Sequence, residues 1–150
     1  MQLDSTDQEV LRYEVGAFLE RLSSPHAKPT YERLLQAIDA AEVPDEMLES
    51  LGRVLELSLG TGRLRKIHGA HAVMSIKRIF EKTPQALAVK ATVDQVNQAL
   101  AAFAGQTIEK LTFAPADPGG FSLLINTDQC QARLAIGPAG IQVRSLEVGA

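Results

Sequence analysis

Tryptophan is absent, aromatic residues make up only 5% of the chain, and cysteine occurs once. The shortage of rings leaves Leu, Val, Ile and Ala to fill the core. It also argues against single-stranded nucleic-acid binding by base stacking, which needs aromatic platforms. With Cys130 alone, neither an intrachain disulfide nor a cysteine-rich zinc site can form, and a lone thiol fits a reducing compartment. No apolar run approaches the roughly 18–20 residues of a membrane span. The stretch from Met1 to Asp7 is acidic and polar, the opposite of a secretory signal. These absences predict a cytoplasmic protein without membrane insertion. Catalytic signatures are missing as well, with no GxSxG, HExxH, DxDxDG or kinase-like run. There is no internal repeat and no low-complexity tract.

What is present is a chain of 150 residues, 45% hydrophobic and 22% charged, which suits one domain or two small units sharing a core. The hydrophobic period changes near Gly105. Before it, apolar residues recur at helical spacing; after it, they alternate every second residue between turn signals. This predicts an α+β fold of about five helices followed by a four-stranded antiparallel meander. The parts divide as residues 1–83, all helical, and 84–150, a helix plus the meander, joined into one compact unit.

The first helix is expected to start at a Thr6/Glu9 capping box and to bury Leu11, Val15, Phe18, Leu19 and Leu22. A second begins near Pro29-Thr30, with Tyr31, Leu34, Leu35, Ile38 and Ala41 on one face. The acidic pair Asp45-Glu46 opens a third, striped by Leu48, Leu51, Leu55 and Leu59, and Gly60 and Gly62 punctuate its end. The fourth, from about Leu64 to Glu81, is apolar on more than one side, which predicts a central position, with Gly69-Ala70 admitting another helix closely. Thr83-Pro84 reads as an N-cap and first position of a fifth helix ended by Gly105.

Strands are expected at 107–114, 121–127, 130–136 and 141–148. One sheet face carries Leu111, Phe113, Phe121, Leu123, Ile125, Cys130, Ala132, Leu134, Ile136, Ile141 and Val143. The phase then slips to Leu146 and Val148, predicting a bulge near Arg144-Ser145. The opposite face is polar, so one lid suffices, and the fifth helix is expected to pack on the sheet as that lid. A helix on such a meander resembles the cystatin-type arrangement in topology, and no function follows from that likeness.

Net charge is −3, unevenly spread: residues 1–60 carry net −7, 61–83 carry net +5 and 84–150 carry net −1. The basic stretch Arg63, Arg65, Lys66, Lys77, Arg78 and Lys82 is the best binding signal. Two readings are open. The side chains pair with the acidic first three helices, which is the plainer expectation, or they are exposed to a polyanion or an acidic partner. Gly60-Thr61-Gly62 before a helix offers backbone N–H groups but lacks the P-loop Lys.

His68 and His71, three apart, are weak metal candidates, since nothing in the spacing points to further ligands. Gly69 between them points to packing. Cys130 on the apolar face reads as a small hydrophobe, because Gln129 and Gln131 supply no base. No catalytic residue, metal or cofactor is assigned. The leading expectation is a non-enzymatic protein-interaction or regulatory module that self-associates, its partner being another protein or a second copy, with a homodimer as one form. The alternatives are a nucleic-acid or polyanion binder using residues 63–82, and a small-ligand protein or enzyme with a pocket between helices and sheet.

Overall fold

A computed structural model describes residues 1–138 and 140–149. Five α-helices precede four strands, an α+β fold: α1 (Ser5–Arg21), α2 (Lys28–Asp39), α3 (Leu48–Gly60), α4 (Arg63–Phe80), α5 (Pro84–Ala101), β1 (Ile108–Pro115), β2 (Phe121–Thr127), β3 (Cys130–Gly137) and β4 (Gly140–Val148). A single 3-10 turn, Asp45–Met47, leads into α3. The chain forms two compact units, Met1–Leu87 and Ala88–Ala150. No described helix is long and apolar enough to cross a membrane.

In the first unit, α1 to α4 each turn a stripe inward. Leu11 and Val15, Leu34 and Ile38, Leu51 and Leu55, and Leu64 and Ile76 are almost wholly buried in one cluster. The start of α1 differs from the expected capping box. Asp4 is the N-cap, and its carboxylate accepts the backbone N–H of Asp7 at 2.8 Å, while Thr6 already lies inside the helix. A carboxylate there also complements the helix dipole. Backbone bonds Leu3 N–H to Ala41 O and Val43 N–H to Met1 O, both 2.9 Å, tie the first residues to the segment after α2. Gly62, at φ 68°, makes the left-handed turn between α3 and α4. Thr83 precedes α5 fully buried, and its hydroxyl donates to Phe80 O at 2.6 Å.

The expected central role of α4 is not realised. Ile67 and Met74 are exposed, and the inward residues form the ordinary stripe Leu64, Ala72, Ile76 and Ile79. Gly69 also has a different role from close helix packing: nothing lies within 4 Å of where its Cβ would be. Its backbone instead adopts φ 83°, ψ −179°, which kinks the helix. Only glycine takes that conformation readily. The kink re-aims the apolar residues that a straight wheel would spread around the axis.

In the second unit the strands pair in sequence order, all antiparallel. The predicted β4 bulge is present. Arg133 faces Ser145 and Leu134 faces Val143, so Arg144 is the extra residue. A second irregularity lies between Ile108 and Lys110, which keeps Ile108 on the same face as Leu111. Ala139, in the expected β3–β4 turn, lies outside the described residues.

The C-terminal end of α5 meets the sheet's apolar face, where Ala99, Ile125, Cys130, Ala132 and Leu134 are buried. Gln106 is the latch. Its Nε2 donates to Ala102 O at 2.7 Å and lies 3.2 Å from Cys130 Sγ, and its Oε1 accepts from the Thr127 hydroxyl. Toward its N-terminal end the helix stands off the sheet. A cavity of about 470 Å³ opens there, with Val89, Val93 and Val96 on one wall and Gly140 and Ile141 on the other.

Candidate functional site

Glu14 occupies a position on α1 where the helical stripe calls for an apolar residue, between Leu11 and Phe18. It is 2% exposed. A buried carboxylate needs donors on its lone pairs, and three converge on it. Ser58 Oγ donates to Oε2 at 2.7 Å, Arg63 Nε donates to the same oxygen at 3.1 Å, and His68 Nε2 lies 3.0 Å from Oε1. Tyr13, the residue before Glu14 on α1, makes a T-shaped ring pair with His68, centroids 5.0 Å apart, and the Arg63 guanidinium sits 5.7 Å over the Tyr13 ring. The Gly69 kink follows directly on His68.

This arrangement contains Ser, His and Glu, yet it is not a nucleophile relay. The hydroxyl and the imidazole both address the carboxylate instead of one another, so no base takes the serine proton toward a substrate. What the cluster does is fix Arg63 against the wall of a cavity of about 580 Å³, between the C-terminal parts of α1 and α3. Phe18, Leu22, Val54 and Leu57 give it an apolar lining, and Arg21 and Arg63 stand at its polar side.

Of the basic stretch, Arg63 alone pairs with an acidic helix. Arg65, Lys66, Lys77, Arg78 and Lys82 are exposed and make no ion pair among the described residues, which corrects the expectation of pairing with the first three helices. The acidic helices use other partners: Arg12 meets Asp39 at 2.6 Å and Arg53 meets Glu49 at 2.7 Å. The five cations fall into two groups along the chain. Arg65 and Lys66 precede the kink, and Lys77, Arg78 and Lys82 follow it by two turns.

The two histidines are separated in the same way. His68 points inward to Glu14, while His71, beyond Gly69, is exposed. Among the described residues, no three His, Cys, Asp or Glu side chains are placed to hold a metal ion. Cys130 is buried against Gln106 and the Ala102 carbonyl.

The second unit has an unusual surface. Val89, Val93, Ile108, Leu111, Phe113, Phe121, Ile141, Leu146 and Val148 are all exposed. The strand register puts the seven from the sheet on its apolar face, beside the buried Ile125, Ala132 and Leu134. Phe113 and Phe121 stack there with centroids 5.4 Å apart, at 60% and 46% exposure. Uncovered apolar strips therefore run along β1 and along β4.

Sequence reasoning passed over Glu14, Ser58, Tyr13 and Arg21. The signal for the first two was available. Glu14 stands three residues after Leu11 and four before Phe18, and Ser58 three after Leu55, so both fall on buried stripes. Compared with family models, curated proteins and solved structures, the chain matches none of them.

Proposed function

We propose that the chain is a non-enzymatic interaction module that self-associates through the apolar face of its meander. The observation that carries this reading is the exposed strip Ile108, Leu111, Phe113 and Phe121 beside an incompletely covered sheet. Exposed apolar area of this extent on one face marks an association surface. The four side chains of this strip, at roughly half exposure, present on the order of 400 Å², which suits a weak interface smaller than the ~800 Å² per partner of a standard one. The occupant with matching chemistry is a second copy, because a two-fold axis brings the same apolar strip against itself. The stacked Phe113–Phe121 pair has the aromatic character and position of an energetic anchor.

Sedimentation of the full chain from micromolar to sub-millimolar concentration tests the proposal. The expected result is a monomer–dimer equilibrium that Phe113→Ser weakens at least tenfold, since each protomer loses roughly 1.5–3 kcal/mol of apolar burial. A wild-type chain that stays monomeric throughout, or a dimer indifferent to Phe113→Ser and Phe121→Ser, overturns it.

A second reading is a polyanion binder. The exposure of Arg65, Lys66, Lys77, Arg78 and Lys82, all without an ion pair among the described residues, favours it. Phosphate contacts release counterions, so binding of mixed-sequence DNA or RNA would fall by orders of magnitude between about 50 and about 200 mM salt. Absence of binding at the lower salt removes this reading.

A further inference from the structure

We infer that the cavity between α1 and α3 is a binding site for a small amphipathic carboxylate, its anionic head held by Arg21 and Arg63 and its apolar body lying along Phe18, Leu22, Val54 and Leu57. The site is separate from the proposed association surface and does not depend on it. Three features of the first unit support the inference.

The first is size and lining. At about 580 Å³ the cavity falls in the range of small-molecule sites, and its apolar side chains share the wall with Glu14, the two arginines and four hydroxyl residues. Its aliphatic and aromatic side matches a flat or branched hydrocarbon body.

The second is the state of Arg63. A guanidinium has five N–H donors in a planar fork. The Glu14 carboxylate engages Nε at 3.1 Å, and the side chain stays 26% exposed on the cavity wall. The aromatic ring of Tyr13 holds the other side of the group. A guanidinium fixed in this way has already lost its rotamer freedom, so a ligand carboxylate does not have to order it.

The third is charge balance. Glu14, which also lines the cavity, is already engaged by Ser58, Arg63 and His68, and the Arg63 guanidinium offsets its charge. Arg21 makes no ion pair among the described residues, and it lines this cavity and the smaller hollow beside it together with Arg63. Glu20 lines only that hollow and pairs with neither arginine. The cavity wall therefore presents two guanidinium groups against one neutralised carboxylate, which selects an anion. Carboxylates suit such a fork through paired N–H···O contacts.

Fluorescence anisotropy of 2-naphthoate tests this directly, because the full chain has no Trp to interfere. Naphthalene-2-methanol and 2-naphthylmethylamine serve as competitors with the same apolar body. The expected result is saturable binding of one naphthoate per chain, at least tenfold weaker competition by the alcohol and none by the amine. Arg21→Gln, at an exposed side chain, is expected to keep the fold and lose at least tenfold in affinity, and Arg63→Gln at least as much. No saturable binding up to millimolar naphthoate, or equal affinity for the three head groups, overturns the inference. So does an Arg21→Gln variant that folds and binds naphthoate as the wild type does.

Discussion

Glu14 on α1 and Arg63 at the first position of α4 meet at 3.1 Å across 49 residues of sequence, with the carboxylate almost wholly buried. Removing the guanidinium alone leaves a buried carboxylate with only Ser58 and His68 beside it. Arg63→Met should cost about 2–4 kcal/mol in urea unfolding. Adding Glu14→Leu should recover part of that loss, because an apolar pair of similar volume avoids the desolvation cost. Additive losses in the double variant would show that the two groups do not act together.

Gly69 kinks α4 at φ 83°, ψ −179°. Gly69→Ala meets no atom within 4 Å but has to hold a conformation that L residues avoid, so we expect a loss of about 1–3 kcal/mol. Gly60 closes α3 with helical backbone and open space around it, and Gly60→Ala should be neutral or stabilise by up to about 1 kcal/mol. Thermal unfolding of the two variants compares backbone strain with helix propensity at otherwise similar substitutions.

Gly52 is a steric requirement. A Cβ at this position in α3 would lie 1.9 Å from Gln85 Oε1 and 2.9 Å from Thr83 Cβ. Gln85 is itself held by its bond to Glu49 O at 2.8 Å. Gly52→Ala should therefore destabilise by about 1–2 kcal/mol despite the better helix propensity of alanine. Gln85→Ala in the same chain should restore part of this, measured by the shift in urea midpoint.

Cys130 is 4% exposed beneath the Gln106 latch. Its alkylation by iodoacetamide in the native state should be slow, since reaction requires local opening. Gln106→Ala removes the bonds to Ala102 O and Thr127 and should speed alkylation by about tenfold, equivalent to about 1.4 kcal/mol of lost local stability. An unchanged rate would mean that the latch does not govern access to the thiol.

Lys77 and Arg78 are exposed and without ion pairs among the described residues. Replacing both by Gln should leave unfolding free energy within about 0.5 kcal/mol of the wild type. A larger loss would show that these charges are used within the fold.

Elements whose signals are local were legible in the sequence. The four strands, the β4 bulge at Arg144 and the start of α5 at Pro84 follow from alternation, phase and proline, which act over a few residues. The misjudged features depend on a choice among local options. Both Asp4 and Thr6 can cap a helix, and the carboxylate of Asp4 reached the Asp7 N–H. In α4 the apolar residues suggested a straight central helix because a helical wheel assumes unbroken geometry, and the single φ of Gly69 removes that assumption.

The sequence by itself determined the α+β order, the meander and the division of charge, because hydrophobic period and turn chemistry are properties of neighbouring residues. Tertiary structure alone decided that Glu14, Ser58, Arg63 and His68 form one cluster, since their donors and acceptor come from three helices and only packing brings them within hydrogen-bond reach. It alone also decided how far α5 covers the sheet. The alternating pattern of β1 states which face is apolar. Whether Phe113 on that face is buried depends on where the helix rests, and that is set by long-range contacts such as Gln106 with Cys130.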